Sequence, residues 1–212
     1  RSWVLGDTLN VGIGQGYVLT SPMQLAVMAS RIASGKFIQP RLIKRVNGVF
    51  KEIESQNDLG ISTFALNLVR EGMYDVSNGN KGTARKSKIE IKEMSLAAKT
   101  GTAQVRNITK KERETGVIPN EKLPWKKRDH ALFVGYAPYV KPKYAISVVV
   151  EHGGGGSKVA APIARDIMLR AIYGRVPKLE AYPMDQRKEA KDRLESLNLN
   201  PVLKSEKNEG SA

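Results

Sequence analysis

The sequence AAKTGTAQV at Ala97–Val105 is the most informative part of this 212-residue chain. Small and β-branched residues flank its Lys-Thr-Gly tripeptide, a composition that is typical of a β-strand. Because side chains alternate along a strand, the hydroxyls of Thr100 and Thr102 are expected on one face and Gly101 on the other. The tripeptide alone is a weak signal, so its interpretation depends on the runs around it.

Five further runs stand in a particular order on both sides of this strand. They are Gly6–Thr8 (GDT), Val11–Tyr17 (VGIGQGY), Thr20–Gln24 (TSPMQ), Arg128–Pro138 (RDHALFVGYAP) and Glu151–Gly154 (EHGG). Together with the Lys-Thr-Gly tripeptide, this order resembles the transpeptidase domain of class B penicillin-binding proteins, and among them the cell-elongation enzymes. The resemblance extends from about Gly6 to about Ile172 and thus covers most of the chain.

One hallmark of that family is missing from the sequence. The family's nucleophilic serine lies in a Ser-x-x-Lys motif, where a lysine one helical turn away activates it, and these residues contain no such motif. Ser55–Asn57 and Ser196–Asn198 match the second motif, Ser-x-Asn, but both lie on the wrong side of Gly16. We therefore predict that the chain is the C-terminal part of a larger enzyme and that the nucleophile lies outside it.

The resemblance implies roles for four consecutive residues of the central strand. Lys99 would be the catalytic cation, and the backbone N–H of Thr102 would form half of the oxyanion hole, so these two are the catalytic candidates. Thr100, Gly101 and Thr102 would bind the substrate, with the two hydroxyls contacting its carboxylate. The resemblance implies no cofactor and no metal ion.

The reaction implied by the resemblance is peptidoglycan D,D-transpeptidation through an acyl-enzyme. The expected partners are peptidoglycan stem peptides, β-lactam antibiotics and membrane proteins of the cell-elongation machinery, and the expected location is the periplasmic face of the bacterial inner membrane, with the anchor in an N-terminal segment outside this chain. Two alternatives stay open. One is a non-catalytic fragment that binds wall polymer or another protein, and the other is a β-lactamase or β-lactam sensor.

The predicted fold is α/β of the α+β type, the C-terminal portion of the penicillin-binding and serine β-lactamase-like fold. The resemblance implies an antiparallel five-stranded sheet sandwiched by helices. Hydrophobic periodicity and capping residues predict helices near 22–34, 62–76 and 161–172, and strands over 94–105, 131–136 and 144–150. Phe64, Leu68 and Met73 are expected to face inward from the second helix, and the Asn47-Gly48 turn indicates a small hairpin. The last of these strands is expected to be buried on both faces. Residues 6–20 are predicted to form a glycine-rich loop.

Composition sets further limits on the chain. No cysteines are present, so neither a disulfide nor a thiolate metal site is possible. The formal net charge of +14 favours a polyanionic partner. Between Arg106 and Arg128 the sequence contains eight basic residues and three glutamates. That segment has one aromatic residue, Trp125, so we do not expect nucleic-acid binding, and we predict a solvated loop between two strands. Residues 1–175 are assigned to the transpeptidase domain and 176–212 to a charged tail, partly helical or disordered.

Overall fold

A computed structural model describes residues 2–16, 18–52 and 56–197. Ser55 and Asn198, each part of a Ser-x-Asn match, lie outside the described residues, as does the chain beyond position 197. The helices are α1 (Leu5–Gly12), α2 (Pro22–Ser34), α3 (Thr63–Asn78), α4 (Lys110–Thr115), α5 (Ala160–Tyr173) and α6 (Arg187–Ser196). The strands are β1 (Arg45–Val46), β2 (Val49–Phe50), β3 (Ala97–Ala103), β4 (His130–Ala137) and β5 (Tyr144–Val150).

The central sheet has three antiparallel strands in the order β3-β4-β5. Lys99 pairs with Val134 and Gly101 with Leu132, so the predicted Lys-Thr-Gly strand is confirmed as an edge strand of this sheet. A separate hairpin, β1-β2, turns at the predicted position after Val46. The described residues thus contain three strands of the five that the resemblance implies.

Helix α2 begins and ends where the sequence predicts. The hydroxyl of Ser21 accepts a hydrogen bond from the N–H of Gln24, and Pro22 occupies the first turn, where its missing N–H costs nothing. Gly35 ends the helix in the left-handed conformation, with φ of 73°. Capping and stop signals therefore determine both ends of this element.

The two faces of the sheet pack against different helices. On one face, Ala98 and Phe133 lie in the main hydrophobic core with the α5 residues Met168 and Leu169, all fully or almost fully buried. On the other face, Ala97 and Tyr136 pack with Met73 of α3, and Ile32 of α2 lies against them. Helices therefore cover both faces of the sheet, as the predicted α+β fold class requires.

Two details of the predicted packing are wrong. Phe64 and Leu68 were expected to face inward from α3, yet they are 79% and 61% exposed, whereas Leu66 and Met73 are buried. An apolar residue on a helix does not by itself reveal which stripe meets the sheet. Strand β5 is half-buried rather than buried on both faces, because it is an edge strand in the described sheet.

The glycine-rich region is also more regular than predicted. Residues 5–12 form helix α1, because the carboxylate of Asp7 accepts a hydrogen bond from the N–H of Val4 at 3.0 Å and so caps the first turn. The loop follows this helix, with Gly14 and Gly16 in left-handed conformations. None of the helices in the described ranges is long and apolar enough to cross a membrane.

The segment after residue 175 packs onto the same core as the rest of the chain. Ala181, Tyr182 and Ala190 are fully or almost fully buried. The guanidinium of Arg165 in α5 lies 4.8 Å from the Tyr182 ring centroid and donates a hydrogen bond of 2.7 Å to the side-chain carbonyl of Gln186. The assignment of 176–212 as a separate tail stays a prediction, because residues 198–212 lie beyond the described part.

Candidate active site

A cleft of about 960 Å³ runs along one side of β3. One part of its lining consists of Asn10 in α1 and of residues 13–16, 18 and 19 in the loop that follows. The remaining wall is formed by residues 99–108, Arg113 and Leu132. All four predicted site residues, Lys99 to Thr102, therefore line the same cavity.

Lys99 is exposed and lies near the middle of β3. Since side chains alternate along the strand, it shares a face with Ala97, the face that α2 and α3 cover further along the sheet. Its Nζ donates a hydrogen bond of 2.6 Å to the backbone carbonyl of Thr100. This places an ammonium group at the cleft wall, where it can attract an anion.

Thr100 and Thr102 lie on the opposite face of β3 from Lys99. Thr102 is exposed, whereas Thr100 is half-buried and its hydroxyl lies 2.8 Å from that of Thr83. Thr83 belongs to the loop between α3 and β3 and was not among the predicted site residues. Nothing in the sequence pattern pointed to it, because the pairing joins residues that are seventeen positions apart.

Gly101 has a close backbone neighbour that the sequence did not reveal. A Cβ atom at Gly156 would overlap the carbonyl oxygens of Gly101 and Leu132, so the loop before α5 lies directly on the Lys-Thr-Gly backbone. The N–H of Ala161 donates to the carbonyl of Gly156 at 2.9 Å, which links this contact to the first turn of α5. The absence of a side chain at position 156 is therefore a requirement of the site's geometry.

The basic segment between β3 and β4 is folded around one buried acid. Glu112 is 8% exposed, and Arg106 donates two hydrogen bonds to its carboxylate, at 2.6 and 2.8 Å. Thr109 contributes its N–H and hydroxyl at 3.1 and 2.9 Å. The hydrogen bonds from Arg106, with those from Thr109, hold the pKa of Glu112 well below its usual range, and Glu112 in turn raises the pKa of Arg106.

A second acid, Asp129, attaches this segment to the end of β3. The Asp129 carboxylate accepts hydrogen bonds from the Asn120 amide at 3.1 Å and from the N–H of Val105 at 3.3 Å. The segment was predicted to be a solvated loop, but two acids organise it. Because Arg106 and Arg113 line the cleft, the segment forms its outer end.

The two histidines contact each other near the same end of the sheet. The N–H of His152 donates to Nδ1 of His130 at 2.8 Å, and the His152 ring packs edge-on against Trp125. Across the described residues, no group of three or more acids or histidines has the arrangement of a metal site.

The cleft along β3, the exposed Lys99 and the helix-covered sheet are the features that the resemblance to a penicillin-binding transpeptidase domain predicts. The family described as "Penicillin binding protein transpeptidase domain" matches residues 1–169, and the chain belongs to this family.

Individual relatives show which members of this family the chain is similar to. The peptidoglycan D,D-transpeptidase MrdA of Haemophilus influenzae is 37% identical over 206 residues, which are 93% of this chain and 31% of that protein. MrdA of Escherichia coli K12 is 32% identical over 180 residues, which are 82% of this chain and 28% of that protein. The chain thus spans about a third of the length of these curated relatives.

Two solved structures agree with this result. Pseudomonas aeruginosa PBP2, solved in complex with WCK 5153, superposes with a TM-score of 0.63 at 35% identity, covering 87% of this chain and 37% of that one. Helicobacter pylori PBP2, solved in complex with MreC, gives a TM-score of 0.61 at 34% identity, covering 82% and 28%. These comparisons confirm the predicted resemblance to class B penicillin-binding proteins and the predicted fold class, and both solved structures are of PBP2.

Proposed function

We propose that this chain is the C-terminal part of the transpeptidase domain of a peptidoglycan D,D-transpeptidase of the cell-elongation type. It supplies the Lys-Thr-Gly strand, while the serine nucleophile comes from residues outside these 212. The observation that carries the proposal is the position of Lys99, Thr100 and Thr102 on one exposed strand along a cleft of about 960 Å³.

The site residues divide the work of substrate binding and acyl transfer. The Lys99 ammonium draws the substrate's terminal carboxylate towards the strand and supports the catalytic hydroxyls, and the hydroxyls of Thr100 and Thr102 hold that carboxylate. Strand β3 pairs with β4 on one side, so in the described sheet its other edge is open to an extended peptide. In this proposal the N–H of Thr102 stabilises the developing oxyanion.

The expected partners and location follow from the same proposal. The substrates are peptidoglycan stem peptides, β-lactams are inhibitors that acylate the same site, and the enzyme works at the periplasmic face of the bacterial inner membrane. A complex between H. pylori PBP2 and MreC supports the further proposal that a protein of the elongation machinery binds the complete enzyme.

The alternatives receive less support. A β-lactamase or β-lactam sensor would have the same fold and motif, but the curated relatives are named transpeptidases. A non-catalytic wall-binding fragment would rely on the +14 charge alone, whereas the cleft places chemically suitable groups together.

Intact mass spectrometry after incubation with benzylpenicillin tests this proposal. The full-length protein that contains this chain should gain one penicillin, and the 212-residue chain alone should gain none. A stable adduct on the isolated chain would place a nucleophile within these residues and would overturn the proposed division of the active site. A full-length protein without any adduct would overturn the transpeptidase function.

A further inference from the structure

Thr83 is held in place by the residues on either side of it. A Cβ atom at Gly82 would overlap the carbonyl oxygens of Asp75 and Val76, so this part of the loop lies against the last turns of α3. The N–H of Ala84 donates to the Val76 carbonyl at 2.9 Å, and Ala84 is almost completely buried. The backbone around Thr83 is therefore fixed to α3 rather than free in solvent.

The same end of α3 is also tied to the Lys-Thr-Gly strand. The side-chain amide of Asn78 donates one hydrogen bond to the carbonyl of Leu96, just before β3, and another to Tyr74 within α3, both at 2.9 Å. Consequently α3, the Thr83 loop and β3 form one connected unit. The distance of 2.8 Å between the Thr83 and Thr100 hydroxyls is a property of that unit.

The chemistry of the two hydroxyls assigns them different tasks. A threonine hydroxyl can donate one hydrogen bond through its single proton and can also accept hydrogen bonds. An ionised carboxylate can only accept them. When the Thr100 hydroxyl binds a substrate carboxylate, its proton points to the substrate. The Thr100 hydroxyl oxygen can then accept a hydrogen bond from another donor. The geometry of the pair allows either hydroxyl to donate, so Thr83 can supply the second proton.

We propose that Thr83 is a positioning residue that donates its hydroxyl proton to Thr100 and thereby directs the Thr100 proton at the substrate's terminal carboxylate. This inference rests on the proposed transpeptidase function. Without the Thr83 donor, the Thr100 hydroxyl would be free to rotate, and an anionic substrate would lose a pre-oriented hydrogen bond.

The test uses the full-length protein and two thioester substrates that differ only in a terminal carboxylate or its amide. For Thr83→Val, which keeps the shape and removes the donor, we expect KM for the carboxylate substrate to rise about 10-fold, because a hydrogen bond to a charged group is affected. KM for the amide should change less than about twofold, and kcat should stay nearly constant for both. Thr83→Ser, which keeps the donor, should restore values close to those of the unaltered protein.

The matched control is Thr115→Val, which removes an exposed threonine hydroxyl that donates to the Lys111 carbonyl at 2.9 Å. If Thr83→Val unfolds, Thr83→Ala removes the same donor and carries the same comparison. Equal losses on both substrates, shared by Thr83→Ser, would overturn the positioning role in favour of a purely structural one. Unchanged kinetics in Thr83→Val would also overturn it. If the unaltered protein is acylated by neither substrate, the transpeptidase function itself fails.

Discussion

The backbone of Gly156 lies directly on the backbone of Gly101. A single methyl group at Gly156 would occupy the space of two carbonyl oxygens, one of them that of Gly101 itself. Such contacts are too short for a real Cβ atom. The loop before α5 can therefore lie this close to the Lys-Thr-Gly strand only because position 156 is glycine. The geometry of the oxyanion donor proposed at Thr102 thus depends on a glycine that is more than fifty residues away in the sequence.

Replacing Gly156 by alanine should therefore damage the site. We expect Gly156→Ala to cost about 1–3 kcal/mol of stability or more, since the overlap is with backbone atoms, and to slow acylation of the full-length protein by benzylpenicillin. Thermal unfolding and the acylation rate measure both effects. Gly155→Ala is the matched control, because a Cβ there meets nothing within 4 Å. Equal behaviour of the two variants would contradict the close contact.

Removing the cation at position 99 should abolish most of the reactivity. Lys99→Ala in the full-length protein is expected to lower the rate of acylation by roughly 10²–10⁴-fold, the range of a lost acid–base or electrostatic group. The melting temperature should hardly change, because the Lys99 side chain is exposed. Lys143→Ala, at an exposed lysine before β5, serves as the control. Normal acylation of Lys99→Ala would remove this residue from the catalytic set.

The Arg106–Glu112 pair should make stability depend on pH. Because the pKa of Glu112 is lowered in the folded protein, its contribution is present above the unfolded value of about 4.3 and is lost as the pH falls through the folded pKa. We expect Glu112→Gln to have a lower melting temperature at neutral pH and to approach the unaltered protein in strong acid.

Melting temperatures between about pH 2 and 7 measure this difference over the range in which carboxylates titrate. Glu114→Gln, at an exposed position of the same helix α4, should leave the profile unchanged. Parallel profiles for Glu112→Gln and the unaltered protein would mean that the ion pair does not stabilise the fold.

Substitutions of Tyr182 test whether the segment after residue 175 contributes to the stability of the domain. The ring is fully buried against Arg165, and burial raises the pKa of the phenol to about 12. Its hydroxyl has no hydrogen-bond partner among the described residues. Tyr182→Ala should lower the free energy of unfolding by about 3–5 kcal/mol, the usual cost of removing a buried aromatic ring.

Tyr182→Phe should be neutral or stabilising by up to about 1 kcal/mol, because it removes an unpaired buried polar atom and keeps the ring. Thermal and denaturant unfolding of both variants provide the measurement. A Tyr182→Ala variant as stable as the unaltered protein would show that the packing of Tyr182 does not stabilise the domain.

Local signals in the sequence predicted the elements that depend on local interactions. Ser21, Pro22 and Gly35 determine the ends of α2 through hydrogen bonds and backbone conformations within a few residues. The alternating residues around Lys99 likewise predicted the strand, and the order of the flanking motifs predicted the family.

The remaining features depend on contacts that no local pattern records. The contact between Gly156 and Gly101 and the pairing of Thr83 with Thr100 join distant segments, so a glycine run and a lone threonine gave no sign of them. The burial of Glu112 could not be predicted for a different reason. An acid in a basic segment suggests a solvated side chain, and only the fold reveals that it is buried.

The connection between β3 and β4 contains the contacts that determine part of its own shape. Among the described residues, the hydrogen bonds to the Glu112 carboxylate come from positions 106, 109 and 118. Asp129 joins the segment to Val105, just after β3. Because Arg106 both pairs with Glu112 and lines the cleft, a substitution at Glu112 would alter the outer end of the cleft without any change in β3.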